Sequence, residues 1–228
     1  MKFNCDIHNL LSKSIDLNDE YQVHEWKTNH KKLDEELNEN FNINNINEIS
    51  VQLLYYATII RLHSPYAYPP SQTTIFKSSP LSMKICDESS KEISKFSILM
   101  NTHLMNDDIY VKGLYTSPLV VWCLWVAARN NLLAYSHSSS NGFGLPIEFY
   151  QLNQSLRILE PNSKLAKAYA DVLDKITSHN LDSNILTTAR TSFSVLQDAS
   201  SNKFKPVQSN PTTSEIDSIF KNIFSSLG

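Results

Sequence analysis

The feature that most constrains this chain is an apolar run near its middle. Segment 117–133 reads Ser-Pro-Leu-Val-Val-Trp-Cys-Leu-Trp-Val-Ala-Ala-Arg-Asn-Asn-Leu-Leu, and every residue from Leu119 to Val126 is apolar. Pro118 stands where a helix tolerates proline, because the N–H groups of a first turn have no intrahelical partner. A helix that is apolar all round has to be buried around most of its circumference. A membrane span would need about 20 apolar residues. This run is shorter, and Arg129, Asn130 and Asn131 follow it directly. The segment is expected to be the central helix of an all-α domain, with no membrane association.

Flanking segments supply the helices that would cover it. Ile7, Leu10, Leu11 and Ile15 recur at helical spacing within residues 1–20. Val23, Trp26, His30, Leu33 and Leu37 do the same over 21–37, opposite a mixed-sign solvated face of Lys27, Lys31, Lys32, Asp34, Glu35 and Glu36. Residues 38–47 are mostly Asn and read as a loop, since Asn competes with the helix for backbone hydrogen bonds. Segment 46–63 predicts a well-buried helix ended by Ser64-Pro65, because proline biases its predecessor away from helical geometry. A long loop is expected over 66–79, then a helix opened by Ser79-Pro80 and reaching Met105. The Ser- and Gly-containing stretch 136–144 reads as a break. Pro146 opens a further helix, and Pro161 separates it from the amphipathic stripe of residues 163–177. The expected architecture is a compact multi-helix domain over 21–178, preceded by a helical segment over 1–20. A partly disordered Ser/Thr/Asn-rich tail over 179–228 follows. Within the tail, Thr212-Thr213-Ser214-Glu215 has capping-box spacing, and Ile216, Ile219, Phe220, Ile223 and Phe224 repeat helically.

Charge and cysteine usage narrow the function. A formal net charge of -3 over 228 residues gives no basic footprint, so no direct DNA binding by this chain is expected. The three cysteines, Cys5, Cys86 and Cys123, are far apart, which suggests neither a zinc site nor a disulfide framework. That usage fits a reducing compartment. The N-terminal residues have no apolar run resembling a secretory signal. His8, His24, His30 and His63 are read as isolated, without a carboxylate or second histidine at i+4 to make a metal face. No Gly-x-Ser-x-Gly elbow occurs, and Gly142-Phe143-Gly144 is too short for a dinucleotide fingerprint. The adjacent pairs Asp107-Asp108 and Glu35-Glu36 point apart on any helix. The chain is expected not to be an enzyme. Tyr55, Trp122, Trp125 and Arg129 are candidates for lining an effector pocket between helices, against the ordinary fate of such aromatics as core.

Three stretches together resemble a known family. Leu53 to Tyr66 (Leu-Leu-Tyr-Tyr-Ala-Thr-Ile-Ile-Arg-Leu-His-Ser-Pro-Tyr) is similar to the segment ending in Leu-His-x-Pro of the fungal-specific transcription factor domain. That domain is the middle homology region of the fungal zinc binuclear-cluster regulators. Cys86 to Ile93 resembles the Cys-containing helix that follows in the family. Ser117-Pro118 through Ala127-Ala128-Arg129 is similar to its Ser-Pro followed by an aromatic-rich run and Ala-Ala-Arg, and 156–173 to its closing helix pair. The resemblance spans roughly 26–173. It implies an all-helical, nuclear regulatory platform that meets coregulators or a homologous regulator and responds to a small effector.

The family's six-cysteine cluster, which holds two zinc ions, and its coiled coil are not in this sequence. Zinc and DNA binding therefore carry over to no residue here, and no cofactor is expected in this chain. The chain is expected to be either a fragment begun at an internal Met1 or a shortened paralogue. In that setting Ile216, Phe220 and Phe224 are candidates for a short activation helix. The alternative is a helical adaptor with no transcriptional role.

Overall fold

The computed structural model describes residues 2–13, 15–41, 48–69, 74–105, 115, 117–138 and 145–178. Among them are seven α-helices and no strand. They are α1 (Lys2–Ser12), α2 (Glu20–Asn40), α3 (Ile49–Ala67), α4 (Pro80–Met105), α5 (Pro118–Ser138), α6 (Ile147–Leu159) and α7 (Lys164–Ser178). Among the described residues no helix is long and apolar enough to cross a membrane. The tail 179–228, with Ile216, Phe220 and Phe224, lies outside the described residues.

Local chemistry fixes most helix starts. Asp19 caps α2, its carboxylate accepting from the N–H of Tyr21 at 2.9 Å and of Gln22 at 3.3 Å. The hydrogen bonds from Gln22 hold that carboxyl below its ordinary range. Ser79 caps α4 by accepting from the N–H of Ser82 at 3.2 Å, with Pro80 as first helical residue. Ser117 does the same before Pro118, accepting from the N–H of Leu119 at 3.3 Å. Pro161 sits in a 3-10 turn, Glu160–Asn162, after which Ser163 caps α7 through the N–H of Ala166 at 3.2 Å. Pro146 is the N-cap residue of α6, so that helix begins one residue later than expected.

Other boundaries differ from the sequence reading as well, the start of α3 at Ile49 among them. Helix α2 runs on to Asn40 into the Asn-rich stretch, with Asn38 bonded to Asp34 at 3.1 Å on its own helix. Helix α3 does not stop at Ser64-Pro65 but carries Pro65 inside its last turn. The turn persists because burial outweighs the missing proline N–H: His63, Ser64, Ala67 and Tyr68 are all buried, and Tyr68 N–H donates to Ser64 O at 2.8 Å. Helix α5 continues through Ser136 to Ser138, where a break was expected. The Ser136 hydroxyl donates to the Leu133 carbonyl at 2.8 Å, satisfying itself on the helix it belongs to.

Helix α5 is the axis of the main core, as its apolar run requires. Val120, Val121, Leu124, Val126, Ala127 and Ala128 are buried in one cluster with residues of α3, α4, α6 and α7. Helix α3 is clasped from two sides. Leu53, Ala57 and Ile60 face that main core, while Ile59 and Leu62 face a second cluster with Ile7 and Leu10 of α1 and Trp26 of α2. A helix used on both sides is apolar over most of its surface, which its sequence shows. Helix α4 meets α5 and α6 through small polar residues as well as through buried Ile93 and Met100. Ser90 Oγ lies 3.0 Å from Ala127 O and 3.2 Å from Asn131 Oδ1, Ser94 Oγ donates to Gln151 Oε1 at 2.8 Å, and Asn101 Nδ2 donates to Ser155 Oγ at 2.9 Å. A hydroxyl has one proton, so Ser90 serves a single acceptor. Turning the Asn131 amide over would let its buried NH₂ donate to Ser90 while Ser90 donates to Ala127.

Candidate functional site

The strongest concentration of chemistry lies where α2, α3 and α4 meet. His63, near the C-terminus of α3, has partners on both ring nitrogens: Asp34 Oδ1 of α2 at 3.2 Å from Nε2, and Ser82 Oγ of α4 at 3.1 Å from Nδ1. His63 and Ser82 are 2% and 3% exposed. Ser82 occupies the first turn of α4, where Pro80 and the Ser79 cap set its direction. His30, one turn before Asp34 on α2, presses edge-on against the His63 ring, with centroids 4.9 Å apart at 84°. Trp26 and Tyr66 pack on His30 and on each other, and Phe76 packs on both of them, making an aromatic cluster with ring centroids 5.2 to 6.0 Å apart.

Burial governs the electrostatics here. It pushes the His30 imidazole down to about 4, helped by His63 and opposed by Asp34 and by a hydrogen bond to the Leu62 backbone. His30 is therefore neutral at physiological pH, and its buried Nε2 meets no hydrogen-bond partner among the described residues. The hydrogen bond to His63 holds the Asp34 carboxyl below its ordinary range. The Ser–His–Asp connectivity superficially matches a hydrolytic triad. Ser82 and His63 are both buried, however, unlike a nucleophile and base open to substrate. The arrangement is a satisfied buried relay that pins three helices to one another.

The sequence reading missed it, and part of the signal was in plain view. Asp34 stands at i+4 from His30, so the expectation that His30 lacks a carboxylate there is wrong. The contributions of His63 and Ser82 come from other helices, which no spacing reveals. Even so, among the described residues no group of three His, Cys, Asp or Glu side chains is arranged to hold a metal ion.

Beside the relay, Asp34 also lines an open cleft of about 530 Å³ between α2, α3 and α4. Ile59 and Ile85 supply apolar surface to it, Tyr55 and Tyr56 aromatic surface, and Glu88 and Glu92 two further carboxylates. The two tyrosine rings meet at 69° with centroids 5.5 Å apart, and Tyr55 donates to Asn38 Oδ1 at 3.3 Å. Burial raises both phenols, with Asp34 adding to the effect on Tyr55 and Glu92 to that on Tyr56.

The four residues suggested for an effector pocket separate in space. Tyr55 lines the cleft just described. Trp125 is buried in the main core, stacked on Tyr169 of α7 at 4.6 Å and 12°. Trp122 is half-buried beneath the Arg61 guanidinium, whose Cζ lies 5.7 Å from the ring centroid. Arg129 lies near Arg61, and burial pushes its guanidinium down to about 10, with Arg61 adding to the shift. It remains charged at neutral pH. The second cleft, of about 460 Å³, belongs to a surface ion network in which Arg157 of α6 meets Glu160, Asp171 and Asp174. That network joins α6 to α7.

No protein-family model, curated protein or solved structure matches the chain.

Proposed function

We propose that this chain is the regulatory region of a fungal transcription regulator of the zinc-cluster kind, acting in the nucleus through contacts with coregulators or a homologous regulator. The observation that supports this reading is spatial. The three stretches that carry the resemblance lie far apart in sequence, yet they pack as one unit at the centre of the fold. Cys86 of α4 approaches the Ile60 carbonyl of α3 with its Sγ at 3.9 Å, and Asn130 of α5 donates to the Cys86 carbonyl at 3.4 Å. Ser90 of α4 reaches Ala127 of α5, inside the Ala-Ala-Arg motif, at 3.0 Å. Ala127 and Ala128 are fully buried, and their small side chains are what permit that approach. The Leu-His-x-Pro histidine is itself the centre of the three-helix relay. In this reading the shared motifs maintain a rigid platform, and specificity resides on its surface.

Tethering the full chain to a promoter through an unrelated DNA-binding domain tests the proposal. A several-fold change in reporter output relative to the DNA-binding domain alone is expected. Unchanged output from a stably expressed, nuclear fusion would overturn it.

A further inference from the structure

We propose that the cleft between α2, α3 and α4 is a binding site for an organic cation, an ammonium or guanidinium carried on an apolar body. The proposal does not depend on a transcriptional role. Three carboxylates alone would be an ordinary solvated surface; here they edge a concavity whose remaining surface is aromatic and apolar. Asp34, Glu88 and Glu92 come from two helices, so the negative charge faces the cleft from both α2 and α4. None of the residues described as lining the cleft is Lys, Arg or His. The rings of Tyr55 and Tyr56, set at 69°, give the lining electron-rich aromatic surface suited to a cation, and Ile59 and Ile85 give apolar surface suited to its stem. At about 530 Å³ the cleft falls within the size range of small-molecule sites.

The carboxylates differ in how available they are. Asp34 is engaged from behind by His63, which keeps it ionised and fixed while it still lines the cleft. Glu88 pairs with Lys84 at 3.7 Å and Glu92 with Lys95 at 2.5 Å, each one turn along α4; the Glu88 pair is well exposed, while Glu92 is half-buried beside an exposed Lys95. Exposed pairs of this kind are weak and exchange readily with a competing cation. A ligand entering the cleft gains their charge without breaking the fold.

The ammonium or guanidinium has two possible sources, a free amine or a basic side chain of a partner. The test titrates the full chain with 4-phenylbutylammonium, with neutral 4-phenylbutanol, and with the capped peptide Gly-Arg-Gly-Lys-Gly, followed by calorimetry. Saturable binding of the amine or the peptide, with no binding of the alcohol, is expected. The tighter of the two identifies the source. The double variant Glu88→Gln/Glu92→Gln, isosteric at one exposed and one half-buried position, should weaken binding about tenfold. Tyr56→Leu should weaken it further, since aromatic surface goes while apolar bulk stays. Equal binding of amine and alcohol, unchanged affinity in the double variant, or no saturable binding of either cationic probe would each overturn the proposal.

Discussion

Replacing His30 by Phe should remove most of the acid sensitivity of this fold. His30 is 6% exposed inside an aromatic cluster, and burial lowers its imidazole from 6.5 to about 4. In the folded protein it stays neutral down to that pH, whereas the unfolded chain takes up a proton below about 6.5. Stability is therefore full above pH 6.5 and falls as pH drops towards 4. The drop from 6.5 to about 4 corresponds to a loss of about 3 kcal/mol across that window. Asp34 acts in the same direction, but its carboxyl is lowered from 3.8, so its contribution is lost only below that value. Phe keeps the ring contacts with Trp26, Tyr66 and His63 and discards the orphaned Nε2 but loses the bond to the Leu62 backbone, so neutral-pH stability should change by about 1 kcal/mol or less. Urea denaturation followed by circular dichroism at pH 7, 6, 5 and 4 gives the two curves. The wild type should fall relative to His30→Phe by about 3 kcal/mol between pH 7 and 4. A constant difference between them would show that His30 titrates normally, and the description of His30 as a buried, neutral imidazole would be refuted.

Four other outcomes follow from the packing. His63→Ala strands the Ser82 hydroxyl and opens a cavity among three helices, and should cost about 2–4 kcal/mol in urea denaturation. Ala127→Leu forces α4 and α5 apart at a fully buried contact, and should lower stability by about 1–3 kcal/mol or more. Arg157→Ala removes a solvent-exposed network, with a cost of about 1 kcal/mol that shrinks as salt is raised from 0.05 to about 1 M. Burial pushes the Cys123 thiol up to about 12 and drives Cys86 higher still, so in the native chain an aromatic disulfide reagent should modify Cys5 alone. Denaturation should expose all three.

Much of this architecture is legible in the sequence, and the reasons are local. The run Leu119–Val126 forces a buried central helix, and Pro80 and Pro118 with their preceding serines mark helix starts that the structure reproduces. Where reading fails, tertiary packing overrides a local rule. Pro65 predicts an end that the burial of Ala67 and Tyr68 postpones, and Ser136 predicts a break that its own bond to Leu133 avoids. The serines of α4 carry no sequence signal of burial, yet Ser90, Ser94 and Ser97 are buried, the first two bonded to other helices. Their role depends on partners more than 36 residues away for Ser90 and Ser94, which periodicity cannot register. Sites suffer more than elements for the same reason. The i+4 pair His30 and Asp34 was readable, but His63 and Ser82 join it only through folding. Trp122, Trp125 and Arg129 share a helix, but that did not bring them to the cleft that Tyr55 lines.

The most direct test of the regulatory reading is the promoter-tethered reporter run on three chains at once: wild type, Ala127→Arg, and Phe220→Ala/Phe224→Ala. Ala127→Arg buries a charge where α4 meets α5 and breaks the unit formed by the three resembling stretches. The wild type should shift reporter output several-fold, Ala127→Arg should lose the shift, and the tail variant should keep most of it. Output identical to the DNA-binding domain alone for all three chains would contradict the regulatory role. A shift that survives Ala127→Arg and vanishes with the tail variant would contradict the claim that the helical platform carries it.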